Sequence, residues 1–265
     1  MSELGPPDAR DWSPPTWLAR LYDWEHDEFQ ADAELYVQLA RRTGGPVLDL
    51  ACGSGRILAP LTLAGFEVVG VDRSAAMLER ARIRLGASAN RACLTHGDML
   101  KRLPDREFPL VLLALDAFGF ATDTEQQLAL LRAVRRCLPA NGLIALDLVR
   151  VAPLFDEVQG VPVLQRAGVE PESGANVVKW MVRTLHPAIQ QLELLSLYDL
   201  TWPNGETRRL METVQLRYYS RYELEHLLRR VGLAVEAVYG DYDLGELEDA
   251  SPRLIVLARP GAENA

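Results

Sequence analysis

The feature that most constrains this chain is a short apolar run that ends on an acid and breaks at once into glycine. Val47-Leu48-Asp49-Leu50 leads into Ala51-Cys52-Gly53-Ser54-Gly55, and a helical pattern follows from Arg56 to Ala64. Glycine at 53 and 55 lets the backbone approach a ligand with no Cβ in the way. A helix opening behind such a turn offers N–H groups that no intrahelical acceptor uses. The dinucleotide fingerprint G-x-G-x-x-G needs a third glycine, but Leu58 stands at that position. Asp49 at the strand end would also repel a pyrophosphate, so the turn suits a cationic ligand better.

The same rhythm continues downstream. Glu67 to Asp72 reads as a second strand, and Ser74 is placed to cap a helix over Ala75 to Leu85. Arg91 to Thr95, Leu110 to Leu115 and Leu143 to Val149 read as strands three to five. Thr122 and Glu125 form a capping-box pattern for a helix running to about Cys137. Apolar strands alternating with helices predict a doubly wound α/β fold, with a mostly parallel sheet and helices on both faces. Ligands in such sheets bind outside the carboxyl ends of the strands. Asp72 ends the second strand, where a carboxylate can accept both hydroxyls of a ribose. Gly97-Asp98-Met99 follows the third, where a carboxylate can accept from an adenine amino group.

After Pro153 the period changes. Val177 to Leu185 and Leu192 to Leu200 read as strands, and Thr213, Gln215 and Arg217 alternate with Val214, Leu216 and Tyr218, giving one wet and one buried face. Asn204-Gly205 is a hairpin signal, because both residues tolerate positive φ. His186-Pro187 marks another turn. The expectation is an antiparallel insert after strand five, over 153–219. Ser220 and Glu223 then open a helix that Gly232 closes, and Leu233 to Tyr239 and Leu254 to Ala258 supply the last strands. The organisation expected is one domain over 1–265: an irregular Gly5 to Pro15, a helical lid over 16–42, a ligand-binding core over 45–150, the insert, and a closing segment over 220–259.

Those stretches resemble the class I S-adenosylmethionine-dependent methyltransferases. Val47 to Gly55 is similar to their first motif, Val71-Asp72 with Ser74 and Met77-Leu78 to their acidic ribose site, and Gly97-Asp98-Met99 to their adenine site. The resemblance implies a seven-stranded sheet with an antiparallel last strand, and S-adenosylmethionine as cofactor. It places Asp49 near the methionine amino group, Gly53 and Gly55 against the ligand by backbone, Asp72 on the ribose and Asp98 on the adenine. Ala51, Arg73, Met77, Met99 and Leu115 join them as cofactor-side candidates. The insert and Tyr22-Asp23 resemble the glycine and amino-sugar N-methyltransferases. Gly240-Asp241-Tyr242 and Ser251-Pro252-Arg253 resemble uncharacterised bacterial members and bring no substrate. The implied activity is methyl transfer to a nitrogen or oxygen of a small molecule. Alternatives are a polyamine synthase-like or carboxymethyl transfer, or a non-catalytic cofactor- or partner-binding protein.

An alcohol acceptor would need a general base and a neutral amine would not. The candidates are Asp116 and Tyr22, with His26 behind them. Tyr218, Tyr219 and Tyr242 could line an acceptor pocket. His96, His186 and His226 lack metal-ligand spacing, and Cys52, Cys93 and Cys137 form neither a disulfide framework nor a zinc pattern, so no metal is expected. A net charge of −9 argues against nucleic acid as a partner. No stretch is long and apolar enough to span a membrane. Met1 to Asp11 lacks the pattern of a secretory signal, which points to the cytoplasm. A homodimer through the insert is possible, since its apolar face needs a cover.

Overall fold

The computed structural model describes residues 13–151, 154–155 and 158–261. Most of the Gly5 to Pro15 segment, and Pro153 where the insert was expected to begin, lie outside the described residues. The chain divides into two compact units, residues up to Glu28 with Glu157–Gln215, and Phe29–Asp156 with Leu216 onward. The helical stretch read over 16–42 is cut by this division. Helix α1 (Pro14–His26) belongs to the first unit and α2 (Ala31–Thr43) to the second, because residues 27–30 leave the helical path between them.

In the second unit, strands β1 (Val47–Leu50), β2 (Val68–Asp72), β3 (Ala92–His96), β4 (Leu110–Leu113) and β5 (Leu143–Val149) run parallel. They join β10 (Leu233–Tyr239) and β11 (Arg253–Pro260) in a seven-stranded sheet ordered β10-β11-β5-β4-β1-β2-β3. Strand β11 is antiparallel to both neighbours. The parallel strands are those the apolar runs predict, and the seven-stranded sheet with its antiparallel last strand is the one the resemblance implies.

The period-2 alternation of each strand sorts its side chains between two cores. On one face Leu48, Leu50, Val111, Leu113, Ile144, Leu146 and Val256 pack with α5 (Thr124–Cys137) and α6 (Arg221–Arg230). On the other, Val47, Leu110, Leu112, Leu143, Ala145 and Ile255 pack with α2, α3 (Leu58–Leu63) and α4 (Ala75–Leu85). The same alternation puts Asp49, Asp147 and Arg253 on the α2 face at the end of the sheet.

Local chemistry explains the helix starts. Ser74 Oγ accepts from Met77 N–H at 3.3 Å, and Ser220 with Glu223 forms the reciprocal capping box. Helix α5 differs from expectation: its cap is Asp123, whose carboxylate accepts from Gln126 N–H at 2.8 Å. An anion at a helix N-terminus also meets the dipole favourably, which a threonine at 122 would not. Arg217, expected on a wet face, is half-buried and paired with Glu223 at 2.7 Å.

The first unit is an antiparallel sheet ordered β6-β7-β8-β9, from β6 (Pro162–Val169), β7 (Asn176–His186), β8 (Gln191–Thr201) and β9 (Thr207–Arg217). Asn204-Gly205 turns β8 into β9. Strand β6 is missing from the sequence reading because its residues are exposed on both sides and so carry no alternation. The apolar stripe of α1, Trp17, Leu21 and Trp24, packs on Val177, Tyr198, Leu200 and Trp202. Arg20 pairs with the buried Glu170 at 2.6 Å, and Lys179 with Glu25.

Candidate active site

The glycine turn leaves β1 through Ala51, at φ 58, and bends at Gly53 and Gly55, at φ 54 and 77. A Cβ on Gly55 would lie 3.0 Å from the Ala81 Cβ, so the turn also needs glycine to pack on α4. Helix α3 starts at Leu58, two residues later than the pattern suggested. Arg56 and Ile57 form a turn before it. Ala51 and Gly53 are partly exposed, while Cys52, Ser54 and Gly55 are buried, so the turn presents its backbone at alternate residues. Burial pushes the Cys52 thiol far up, and it is no nucleophile.

Asp72 is buried beside this turn. One carboxylate oxygen accepts from Gly53 N–H at 2.8 Å and the other from Ser74 N–H at 2.7 Å. It therefore ties the turn to the start of α4, and each oxygen keeps a lone pair for a further donor. Arg73 is exposed with its guanidinium over the Phe120 ring, and Met77 is half-buried in the first turn of α4. Asp98 accepts from Leu100 N–H at 2.9 Å and leaves about a third of its side chain exposed, at 34%. The Met99 side chain points into the core instead.

Asp49 is 2% exposed, and burial pushes its carboxyl up to about 8. Arg56 works against that shift, while Asp72 and Asp32 add to it. Arg56 itself is held by Asp32 of α2 through a fork of two 2.6 Å bonds, and it stacks over Phe29. An acid buried among acids favours a cation beside it.

A second acidic centre closes the ends of β4 and β5. Asp147 is fully buried on the α2 face of β5. Its carboxylate accepts from Tyr36 of α2 at 3.1 Å, from Tyr242 at 3.0 Å, from Leu115 N–H at 3.1 Å and from Arg253 Nε at 2.7 Å. Asp116 accepts from Val149 N–H and from Arg253 Nη1, the latter at 3.3 Å. Burial raises the Asp116 carboxyl above its ordinary range, and Arg253 opposes that. Burial also works against charge on Arg253, but Asp116 and Asp147 outweigh it and hold the guanidinium. Burial, with Asp147 second, raises the Tyr36 and Tyr242 phenols, so both act as neutral donors.

The structure thus gathers Asp49, Ala51, Gly53, Gly55, Asp72, Asp98, Leu115 and Asp116 at the carboxyl ends of the four parallel strands β1 to β4 and their following turns. It does not make Asp116 a free base, because the carboxylate is already paired. Tyr22 belongs to the first unit, where its ring stacks on His26 at 4.2 Å and His26 Nδ1 meets the Tyr22 carbonyl. Tyr219 stacks on Phe118 and donates to the Ala121 carbonyl, which makes it a core residue. Tyr218 lies against Phe155, and His96 meets the Arg73 carbonyl. Sequence reasoning missed Asp32, Tyr36, Arg56 and Asp147 as parts of the site. An acid inside the apolar run Leu143–Val149 was the signal available for Asp147.

A family model described as a methyltransferase domain matches residues 47–142, the stretch from β1 to the start of β5. The cypemycin N-terminal methyltransferase of a Streptomyces species is 31% identical over 226 residues, covering 82% of this chain and 84% of that protein. The chain belongs to the class I S-adenosylmethionine-dependent methyltransferases. Another relative is the dTDP-3-amino-3,6-dideoxy-alpha-D-glucopyranose N,N-dimethyltransferase of Streptomyces fradiae, 26% identical over 84% of this chain and 86% of that protein. The CcbJ methyltransferase of Streptomyces caelestis shares the fold, with a TM-score of 0.77 at 20% identity over 95% of this chain and 100% of that one.

The methyltransferase uses S-adenosylmethionine, and the residues present fit that cofactor. The turn leaves Ala51 and Gly53 partly exposed at positive φ, where the backbone is accessible. Asp72 keeps accepting capacity on both oxygens. Asp49 is an acid whose burial asks for a cation. Among the described residues no helix is long and apolar enough to cross a membrane.

Proposed function

We propose that this methyltransferase moves the methyl group of S-adenosylmethionine to an amine nitrogen of a small molecule. The observation that carries the reading is the charge at the strand ends. Asp49, Asp72, Asp116 and Asp147 face two guanidinium groups, and one of those, Arg56, is taken up by Asp32. Carboxyls that burial pushes toward the protonated form gain a favourable partner when a cation arrives, which suits a sulfonium donor and an acceptor that comes as an ammonium ion. Of the relatives named above, one is an N,N-dimethyltransferase of an amino sugar and one an N-terminal methyltransferase by name.

In this reading Asp49 meets the methionine ammonium, Ala51 and Gly53 approach the cofactor by backbone, and the buried Gly55 lets the turn close on α4 behind them. Asp72 takes the ribose, with Arg73 and Met77 beside it. Asp98 takes the adenine amino group next to Met99, and Leu115 borders the methyl end. When bound, the sulfonium supplies an electrophilic methyl, and the chain's task is to align the nucleophile and exclude water. Asp116 acts as a fixed charge for the acceptor, because Arg253 already occupies it. The enzyme is read as cytoplasmic and without a nucleic-acid substrate. Exposed Val163, Leu164 and Val169 on edge strand β6 are the basis for reading the insert as a homodimer edge.

The test is a panel of amines, alcohols and carboxylic acids incubated with methyl-labelled cofactor, with the methylated atom located by NMR. N-methyl products are expected. Methyl groups found only on oxygen, or tight cofactor binding without transfer to any acceptor, overturn the reading.

A further inference from the structure

The turn after β4 holds two non-glycine residues in the left-handed region, Leu115 at φ 43 and Asp116 at φ 67. Such a pair persists only where its surroundings over-determine it. Four contacts do so here. Leu115 N–H donates to the Asp147 carboxylate, and Asp116 N–H donates to the Asp147 carbonyl at 2.9 Å. Val149 N–H donates to the Asp116 carboxylate, and Arg253 bridges Asp116 and Asp147. Among the described residues, Arg253 is the cation that bonds to both acids.

The segment that delivers Arg253 is built for the purpose. It is the Gly240-Asp241-Tyr242 and Ser251-Pro252-Arg253 pair of motifs, which the cofactor site leaves without a role. Gly240 N–H donates to the Gly245 carbonyl at 2.9 Å, and Arg253 N–H to the Gly240 carbonyl at 3.1 Å. The Asp241 carboxylate accepts from Asp243 and Gly245 N–H. A Cβ on Gly240 would lie 2.1 Å from Ser251 Oγ, so the two motifs pack in a way only glycine permits. The closed loop brings Tyr242 and Arg253 to the same carboxylate.

We propose that Arg253 is a positioning residue that fixes the Leu115–Asp116 corner and keeps the Asp116 carboxylate charged at the acceptor side of the strand ends. The corner's role toward an acceptor rests on the methyl-transfer reading, but the coupling of Arg253 to Asp116 does not. The groups that face Asp116 are Arg253 from β11 and, from β5, Asp147 and the Val149 N–H. Behind Asp147 stand Tyr36 and Asp32 of α2 and Tyr242 of the loop. Burial and Asp147 both favour the protonated acid, and Arg253 is the opposing charge. Without it, Asp116 must lose charge at a pH where the intact enzyme keeps it.

The experiment follows the Val149 amide by 15N NMR through a pH titration, since that N–H reports the Asp116 carboxylate directly. Asp116→Asn identifies the transition by abolishing it. Arg253→Ala should raise the midpoint by about one to three pH units, the effect of an opposite charge at hydrogen-bond range. Added guanidinium ion should return it toward the parent value, and Arg253→Lys should fall between. S-adenosylhomocysteine affinity should stay within about twofold, the latitude of ordinary measurement for a group outside the cofactor contacts, while methyl transfer to the acceptor found in the panel falls and its acidic limb moves up with the midpoint. An unmoved midpoint in folded Arg253→Ala overturns the proposal, and so does a loss of cofactor affinity equal to the loss of transfer. If Arg253→Ala does not fold, the proposal stands on Arg253→Lys showing the shift and falls if it does not. A shifted midpoint in an enzyme that methylates nothing supports the Arg253 coupling and overturns the methyl-transfer reading alone.

Discussion

Asp32 and Tyr36 stand one turn apart on the buried face of α2, and each secures a different acidic centre. Asp32 grips Arg56 next to Asp49, and Tyr36 donates to Asp147 next to Asp116. Residues four apart lie on one helix face, so a single rigid helix spans both halves of the site. Phe29 adds a second tie, lying under Arg56 and edge-on to Tyr242 at 5.6 Å. One helix thus backs both acidic centres.

Removing Asp32 should be severe. Arg56 is 6% exposed and would lose the forked carboxylate that holds its buried charge. Asp32→Ala should cost about 3–5 kcal/mol in denaturant unfolding, whereas Asp32→Leu with Arg56→Met should cost much less. Equal losses in the two proteins would show that the ion pair is not the source of the effect.

The two tyrosines on Asp147 should separate by burial. Tyr36 is fully buried and Tyr242 only partly so. Tyr36→Phe should destabilise by about 1.5–3 kcal/mol, the range for a hydrogen bond to a charged group. Tyr242→Phe should cost less, because water can reach the vacated lone pair. Thermal unfolding of both variants decides the order.

Asp72 should show two effects from one side chain. Asp72→Ala strips an acceptor from Gly53 and Ser74 N–H in the free protein and, on the proposed reading, a ribose partner in the complex. Cofactor affinity should fall by about 1–3 kcal/mol, and ligand-free stability should fall as well. A stability loss with unchanged affinity by calorimetry would confine Asp72 to the turn.

The cofactor half of this fold was legible because its signals are local. The glycines of the 51–55 turn, the acid ending β2 and the Ser74 cap each lie within a few residues of what they determine. The acceptor half was not, because its contacts span long separations. Tyr36 and Asp147 are 111 residues apart and Arg253 and Asp147 are 106 apart. Asp116 was found by its place after β4, but nothing local announces that Arg253 pairs with it. Tyr22 shows the opposite failure. Its helical spacing with Trp17, Leu21 and Trp24 was visible, and those neighbours are the core residues that hold α1 to its own sheet.

The last expectation concerns Asp49 and pH. Burial pushes its carboxyl from the ordinary carboxylate range up to about 8 in the ligand-free protein. A folded-state value above the unfolded one means the native protein holds the proton more tightly. The stability this gives is fully present below about pH 4 and is lost as pH rises through about 8. Asp49→Asn, which mimics the protonated acid, should remove that slope, so the variant's Tm should gain on the parent between pH 6 and 8 by amounts on the order of a few degrees. Cofactor binding should reverse the sign. An ammonium beside Asp49 favours the carboxylate, so binding near pH 7 should release a proton and tighten as pH rises. Calorimetry in two buffers of different ionisation enthalpy measures that proton directly. Proton release in the parent and none in Asp49→Asn places the methionine ammonium at Asp49, and equal release in both places it elsewhere.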